Sequence, residues 1–578
     1  MEKNDEIGFI DFDRIYHAWE SNFTLSISPR SLGTAFFSWA LHMAILSGKR
    51  TELTMELLTK MSRYVDYLGY AVNDRDYPYC FAPTKEDNRF RGAEWKRWPF
   101  NGLAQGFLMI ESFWQSATTN IHGLSCHHEN VVSFTIRQFL DMFAPSNFIL
   151  TNPEVLNRTR EQSGANLYRG WQNFLQDFKR ALLREKPVGA EEFRVGKNIA
   201  VTAGKVVYRN KLIELLQYSP ATARVHAEPI LIVPAWIMKY YILDLSPHNS
   251  LVRHLVNKGY TVFMISWKNP DSEDRDICLD DYRRLGVMAA LDAVSAIVPE
   301  VRIHSLGYCI GGNILSIAAA AMARDDDNRI ASLTLLTTQG DFTEAGELML
   351  FIDECQVTYL EDIMWYRGYL DTRQMAGAFQ LLRSNDLIWS RYIQDYLMGE
   401  RKPMFDLMAW NADTTRMPYR MHSEFLRSLF LDNDLAEGRY IVGDRPVFLN
   451  DIRVPVFLVA TLRDHVAPWR SVYKFLLLNS SEHITFVLCS GGHNAGIISE
   501  PGGHSRLFRM STRKAGEKHM DPDHWLKSTP EQTGSWWTPW VRWLNENSSS
   551  RVEPPSMGAP EKGLEPLGDA PGTYVFME

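Results

Sequence analysis

Val301-Arg302-Ile303-His304-Ser305-Leu306-Gly307-Tyr308-Cys309-Ile310-Gly311-Gly312 is the stretch on which the fold of this 578-residue chain turns. Its apolar run up to Leu306 reads as a strand, and the alanine-rich residues 313–324 read as a helix. Between them Cys309 stands at a sharp turn, with Gly307 and Gly311 two residues to either side. A turn of this kind needs those glycines, because a Cβ at either position would strike the neighbouring strand or helix. A cysteine at its apex meets the first turn of the helix, where unpaired N–H groups and the positive end of the helix dipole favour a thiolate. The N–H of Ile310 would point at a developing oxyanion. A free cysteine is otherwise a small buried hydrophobe, and the strand-to-helix placement argues against that use for Cys309.

Working outward, residues 229–234 form a continuous apolar run of the kind buried on both faces of a sheet. Further strand candidates at 260–267, 302–306, 332–338, 455–461 and 484–489 alternate with stretches long enough for helical crossovers. The rhythm predicts a mainly parallel, doubly wound sheet: an α/β class chain with the α/β-hydrolase fold. Short β-rich runs, Ala200-Val201-Thr202 and Lys205-Val206-Val207-Tyr208, open this region at about residue 196. Before it, residues 1–195 read as a helical N-terminal domain, with apolar residues three and four apart in 50–58 and 168–175. The aromatic- and Met-rich residues 341–451 read as an inserted cap within a catalytic domain of 196–545. Residues 546–578, with Ser548-Ser549-Ser550 and Pro554-Pro555, read as a flexible C-terminal tail.

In this fold the nucleophile is followed along the chain by an acid and then a histidine, each in a loop after a strand. Leu462-Arg463-Asp464-His465 follows the run 455–461, and Ser490-Gly491-Gly492-His493-Asn494-Ala495-Gly496 follows 484–489. Asp464 and His493 are therefore the expected partners of Cys309. Asp464 could otherwise cap a helix or pair with Arg463, His465 is the rival histidine, and His304 reads as a buried, satisfied one. The second oxyanion donor is placed after the strand ending at Val233-Pro234, at a backbone N–H near Trp236.

Composition narrows the function. With 45% hydrophobic residues and a net charge of -8 spread along the chain, a large core is affordable and no basic footprint for nucleic acid exists. Six scattered cysteines without a CxxC pair fit a reducing compartment and neither a disulfide framework nor a zinc site. No metal or redox cofactor is indicated. The start Met1-Glu2-Lys3-Asn4-Asp5-Glu6 lacks a secretory pattern, and residues 31–48 are too polar for a transmembrane anchor, so a cytoplasmic protein is expected.

The elbow Gly307-Tyr308-Cys309-Ile310-Gly311-Gly312 resembles the cysteine-containing lipase box of the polyhydroxyalkanoate synthases. Lys239-Tyr240-Tyr241-Ile242-Leu243-Asp244-Leu245, Ile265-Ser266-Trp267-Lys268-Asn269-Pro270, Asp464-His465-Val466-Ala467-Pro468-Trp469 and Gly534-Ser535-Trp536-Trp537 are similar to further blocks of that family. The likeness runs over about residues 85–545 and is nearest to the single-subunit, long-chain class. It implies polymerisation of (R)-3-hydroxyacyl-CoA with release of CoA, nucleophile, acid and histidine at Cys309, Asp464 and His493, a homodimer, and association with polyester granules. The family often has Pro-Pro-x-Ile-Asn where this chain has Pro234-Ala235-Trp236-Ile237-Met238. Whether Asp464 activates the substrate hydroxyl or supports His493 is open at this stage. So are a Cys-dependent thioesterase and a non-catalytic granule-associated protein.

Overall fold

The computed structural model describes residues 9–84, 87–371, 374, 384, 388–502 and 506–578. Its contacts divide into two units: the described parts of residues 1–20, 189–372 and 404–578, and those of 21–188 and 373–403.

The first unit is built on a sheet of eleven strands among the described residues. They are β1 (Gly204–Arg209), β2 (Ile213–Tyr218), β3 (Ile230–Val233), β4 (Val262–Trp267), β5 (Ile303–Tyr308) and β6 (Ile330–Leu336), then β7 (Val456–Thr461), β8 (His483–Cys489), β9 (Leu507–Lys514), β10 (Glu531–Thr533) and β11 (Gly568–Asp569). The spatial order is β10-β9-β8-β7-β6-β5-β3-β4-β2-β1-β11. The run β4-β3-β5-β6-β7-β8 is parallel. These six strands are wholly or almost wholly buried, which is why they read as unbroken apolar runs. The sheet is less purely parallel than expected, since β2, β1 and β11 on one side and β9 and β10 on the other pair antiparallel. Ala200-Val201-Thr202 is not a strand. Ala200 takes a left-handed φ of 52° and donates its N–H to the carbonyls of Asp244 and Leu245.

The second unit is helical. Pro29–Ile45 starts on Ser28, whose side chain accepts from the Ser31 N–H, with proline at the first helical position, where its missing N–H costs nothing. Ser47–Ala71 and Ala165–Leu183 contain the two amphipathic stretches read from sequence. The described residues among 373–403, placed by sequence in the cap, group with these helices. Asn166 and Asn173 donate to the carbonyls of Leu397 and Asp395, each at 2.8 Å. Gly170 lets the Tyr396 carbonyl come so near that a Cβ there would sit 1.8 Å from its oxygen. Residues 372, 373, 375–383 and 385–387 of the expected cap lie outside the described residues. No described helix is long and apolar enough to cross a membrane.

The expected flexible tail is instead part of the sheet unit. Arg551–Val552 pairs with Val225–His226, and β11 pairs with β1. Composition misleads here because strand pairing and polar bonds to distant residues, and not a run of apolar residues, hold the segment. Buried Glu214 accepts from the N–H groups of Thr573 and Tyr574 and from the Thr573 hydroxyl at 2.7–2.9 Å, and it pairs with Arg209. Glu214→Ala leaves those donors without their acceptor, a cost of about 1–3 kcal/mol. The variant is expected to unfold at a lower temperature and to be cut earlier than the parent within 551–578 in limited proteolysis.

Candidate active site

Cys309 sits between β5 and the helix Ile310–Arg324 at φ 53°, ψ -125°, a backbone setting that non-glycine residues rarely adopt. A Cβ on Gly307 would fall 2.4 Å from the Gly312 Cα, and one on Gly311 would fall 2.4 Å from the carbonyl oxygens of Val233 and Pro234. One on Gly312 would meet the Thr338 hydroxyl at 1.9 Å. All three glycines are thus needed for the helix to start so close to β3, β5 and the end of β6. The end of β6 also holds the turn directly: the Cys309 N–H donates to the Leu336 carbonyl at 2.9 Å, and the Thr338 hydroxyl donates to the Cys309 carbonyl at 3.3 Å.

The structure brings Cys309, His493 and Asp464 together. His493 Nδ1 lies 2.8 Å from Asp464 Oδ2. A carboxylate oxygen only accepts, so Nδ1 carries the proton and the opposite nitrogen, Nε2, is left for the Cys309 thiol beside the ring. Burial alone disfavours the imidazolium, but the Asp464 carboxylate and the Cys309 sulfur beside it hold His493 well above the ordinary histidine value. Burial would likewise raise Asp464. His493 and the backbone donors of Ala467 and Val466 outweigh it and keep the carboxyl below its usual range. Both Asp464 oxygens are engaged twice. Oδ1 accepts from the N–H groups of Val466 (2.9 Å) and Ala467 (2.8 Å), and Oδ2 from the Thr461 hydroxyl (3.0 Å) and His493.

The two loops that carry this pair are joined by their own backbones. Leu462 N–H donates to the Cys489 carbonyl and Arg463 N–H to that of Gly491, each at 2.8 Å. Gly491 turns the histidine loop with φ 105°. Beyond it, Trp536 and Trp537 donate their indole N–H groups to the carbonyls of Gly496 and Ile497 at 3.2 and 3.1 Å. The Gly534-Ser535-Trp536-Trp537 block is thereby explained as an anchor for the histidine loop.

Ile310 opens its helix, so its N–H has no partner within the helix and is free to serve an oxyanion. At Trp236 the carbonyl accepts from the Thr415 hydroxyl, and the ring is buried against Trp267, Tyr282 and Phe425. The Trp236 ring is packed, with its indole N–H lacking a partner among the described residues, and the backbone N–H is the candidate oxyanion donor. His304 bonds Ser332 and Ser548 through its two nitrogens and is pushed down to about 4 by burial, a satisfied core histidine. Sequence reasoning missed the tie between Tyr308 and Asn494, whose hydroxyl and amide join the residue before the nucleophile to the residue after the histidine. Their adjacency to Cys309 and His493 was the available signal. Among the described residues no cluster of His, Cys, Asp and Glu could hold a metal ion.

Comparison with known proteins agrees with this fold. Residues 86–255 match the family described as the poly-beta-hydroxybutyrate polymerase (PhaC) N-terminus, residues 9–49 a further N-terminal family of that polymerase, and residues 228–499 the alpha/beta hydrolase fold. The chain is 40% identical over 501 residues to a poly(3-hydroxyalkanoate) polymerase of Methylorubrum extorquens, covering 86% of this chain and 82% of that one. It is 38% identical to the poly(3-hydroxyalkanoate) polymerase subunit PhaC of Rhizobium meliloti, covering 85% and 80% of the two chains. Against the subunit PhaC of Cupriavidus necator the identity is 36%, over 85% and 83%. Identity of this level over most of both chains, on a cysteine elbow with its histidine and acid in place, establishes that the chain belongs to the poly(3-hydroxyalkanoate) polymerase family.

Proposed function

We propose that the chain polymerises (R)-3-hydroxyacyl-CoA into polyhydroxyalkanoate through an acyl group carried on Cys309. The observation that carries this reading is Cys309 at the elbow of a polymerase-family chain, with His493 beside it and Asp464 bonded to His493 at 2.8 Å. His493 takes the thiol proton and the sulfur attacks the thioester carbonyl. The oxyanion is met by the Ile310 N–H and by a backbone N–H near Trp236, and CoA leaves with the proton that His493 held. A thiolate suits the step because nucleophile and leaving group are alike. In the second half, the 3-hydroxyl of another unit gives its proton to His493 and attacks the acyl carbon, which forms the ester and frees the sulfur.

Of the two roles open to Asp464, support of His493 is favoured, since each of its oxygens already takes two donors. No cofactor is needed for the reaction so written. The partners proposed are the acyl-CoA and the polyester granule surface, at which the protein would sit in the cytoplasm. Tyr168, Trp171, Leu175, Phe178 and Leu182 are exposed along the helix Ala165–Leu183 at alternating spacings of three and four, which suits contact with an apolar surface or with a second copy in a homodimer.

Incubation with 3-hydroxybutyryl-CoA is expected to release free CoA and form insoluble polyester, with both absent from Cys309→Ala. Release of CoA with only the free acid would make the protein a thioesterase, and no release from this or longer acyl-CoAs would make it non-catalytic.

Asp464→Asn is expected to cut kcat by about 10²- to 10⁴-fold. The ion pair also predicts a stability window. A lowered Asp464 contributes above its unfolded value of about 3.9, and a raised His493 contributes fully below its unfolded value of about 6.5. The stability gap between parent and Asp464→Asn should therefore be widest between those values. It should close as the pH falls through the folded Asp464 value or rises through the folded His493 value, as read by thermal unfolding across pH.

A further inference from the structure

Gln339 lies in the loop after β6, buried, and takes no part in the steps above. Its Nε2 donates to the Val466 carbonyl at 3.0 Å. A carbonyl only accepts, so the amide nitrogen must face it. The Val466 carbonyl and the Ala467 N–H belong to one rigid peptide plane. That N–H is 2.8 Å from Asp464 Oδ1, so fixing one end of the plane aims the donor at the other end. Gln339 is held on its own far side by its backbone: Asn313, on the nucleophile's helix, donates to its carbonyl at 2.6 Å, while the Ser471 hydroxyl lies 3.1 Å from its Oε1 and 2.6 Å from the Asp341 carbonyl. Gln339 is thus bonded at once to the helix that starts at the nucleophile and to the loop that carries the acid.

We propose that Gln339 is a positioning residue, whose side-chain amide sets the Val466–Ala467 peptide that holds Asp464 in line with His493. The proposal rests on the reading of Cys309, His493 and Asp464 as the reacting groups. Its members come from four separated segments, at 309–313, 337–339, 461–467 and 493, so the alignment of the three reacting groups depends on a joint between loops and not on any single one.

The test uses Gln339→Met, which keeps the side chain's length and removes its hydrogen bonds, and Gln339→Glu. In Gln339→Met, kcat for CoA release from 3-hydroxybutyryl-CoA should fall roughly 10-fold, the effect of losing one buried, aligned hydrogen bond, with KM within about twofold. The His493 ring titration, followed by NMR of histidine-labelled protein and assigned with His493→Gln, should move to lower pH as the grip of Asp464 loosens. In Gln339→Glu the carboxylate repels the Val466 carbonyl at high pH, whereas the protonated acid can donate to it. Its activity relative to the parent should therefore recover as pH falls. A parent-like kcat and His493 titration in Gln339→Met would overturn the proposal. If that variant does not fold, a pH-independent activity ratio for Gln339→Glu would do so. The titration needs no substrate, so a chain that released no CoA would sink the catalytic reading while leaving the role of Gln339 measurable.

Discussion

The structure depends on the close seating of the helix Ile310–Arg324 against β3 and the end of β6, which is possible only because Gly307, Gly311 and Gly312 carry no Cβ. That seating forces Cys309 to φ 53°, a setting whose cost is on the order of 1–3 kcal/mol. The turn persists because both backbone groups of Cys309 are bonded to the chain leaving β6, its N–H to Leu336 and its carbonyl to Thr338. The strain is thus offset locally, and its consequence is geometric. The sulfur is lifted out of the sheet toward His493, with the unpaired N–H of Ile310 beside it.

Around this turn, polar contacts and apolar packing divide the work. The parallel strands bury nearly every side chain and fix where each loop leaves the sheet. They cannot set the direction of a single N–H or imidazole. That is done by bonds between loops: Leu462 and Arg463 to the histidine loop, Trp536 and Trp537 to its far end, and Gln339 to the acid loop. Most of these bonds end on backbone carbonyls, so the site relies on main-chain positions that substitution of the carbonyl-bearing residue changes little.

This division explains what could be read in the sequence. The strands were legible because burial on both faces demands unbroken apolar runs, and Cys309, Asp464 and His493 because each follows such a run in a fixed order. Ala200-Val201-Thr202 looked like a strand on composition, yet Ala200 turns away to bond Asp244 and Leu245. Residues 546–578 looked loose because what holds them is distant in sequence: pairing with Val225–His226 and with β1, and Glu214, more than 350 residues earlier than Thr573. The described residues among 373–403 meet the N-terminal helices partly through Gly170 and two asparagines, residues with no periodic signature. Gln339 was invisible for the same reason: a polar residue in a loop carries no pattern until its partners are known.

The same geometry bears on why acyl transfer to a hydroxyl could outrun transfer to water in the proposed reaction. With both Asp464 oxygens saturated, His493 is left as the proton carrier for both halves, and it can serve only what reaches its Nε2 side. Cys309 is 8% exposed, so access is narrow. The segment after β3 is braced by aromatics from residues 410–425: Trp236 packs on Phe425, and Trp410 donates its indole N–H to the Lys239 carbonyl at 2.7 Å. Cys309 shares an apolar cluster with Ala235, Trp410, Met238 and Leu407, and walls of that kind would exclude bulk water while offering an apolar surface to an acyl chain. A hydroxyl tethered to that chain then has an effective concentration that free water, kept out by the same walls, lacks. Discrimination between ester and acid would in this way follow from burial of the nucleophile and not from any group that recognises the hydroxyl itself.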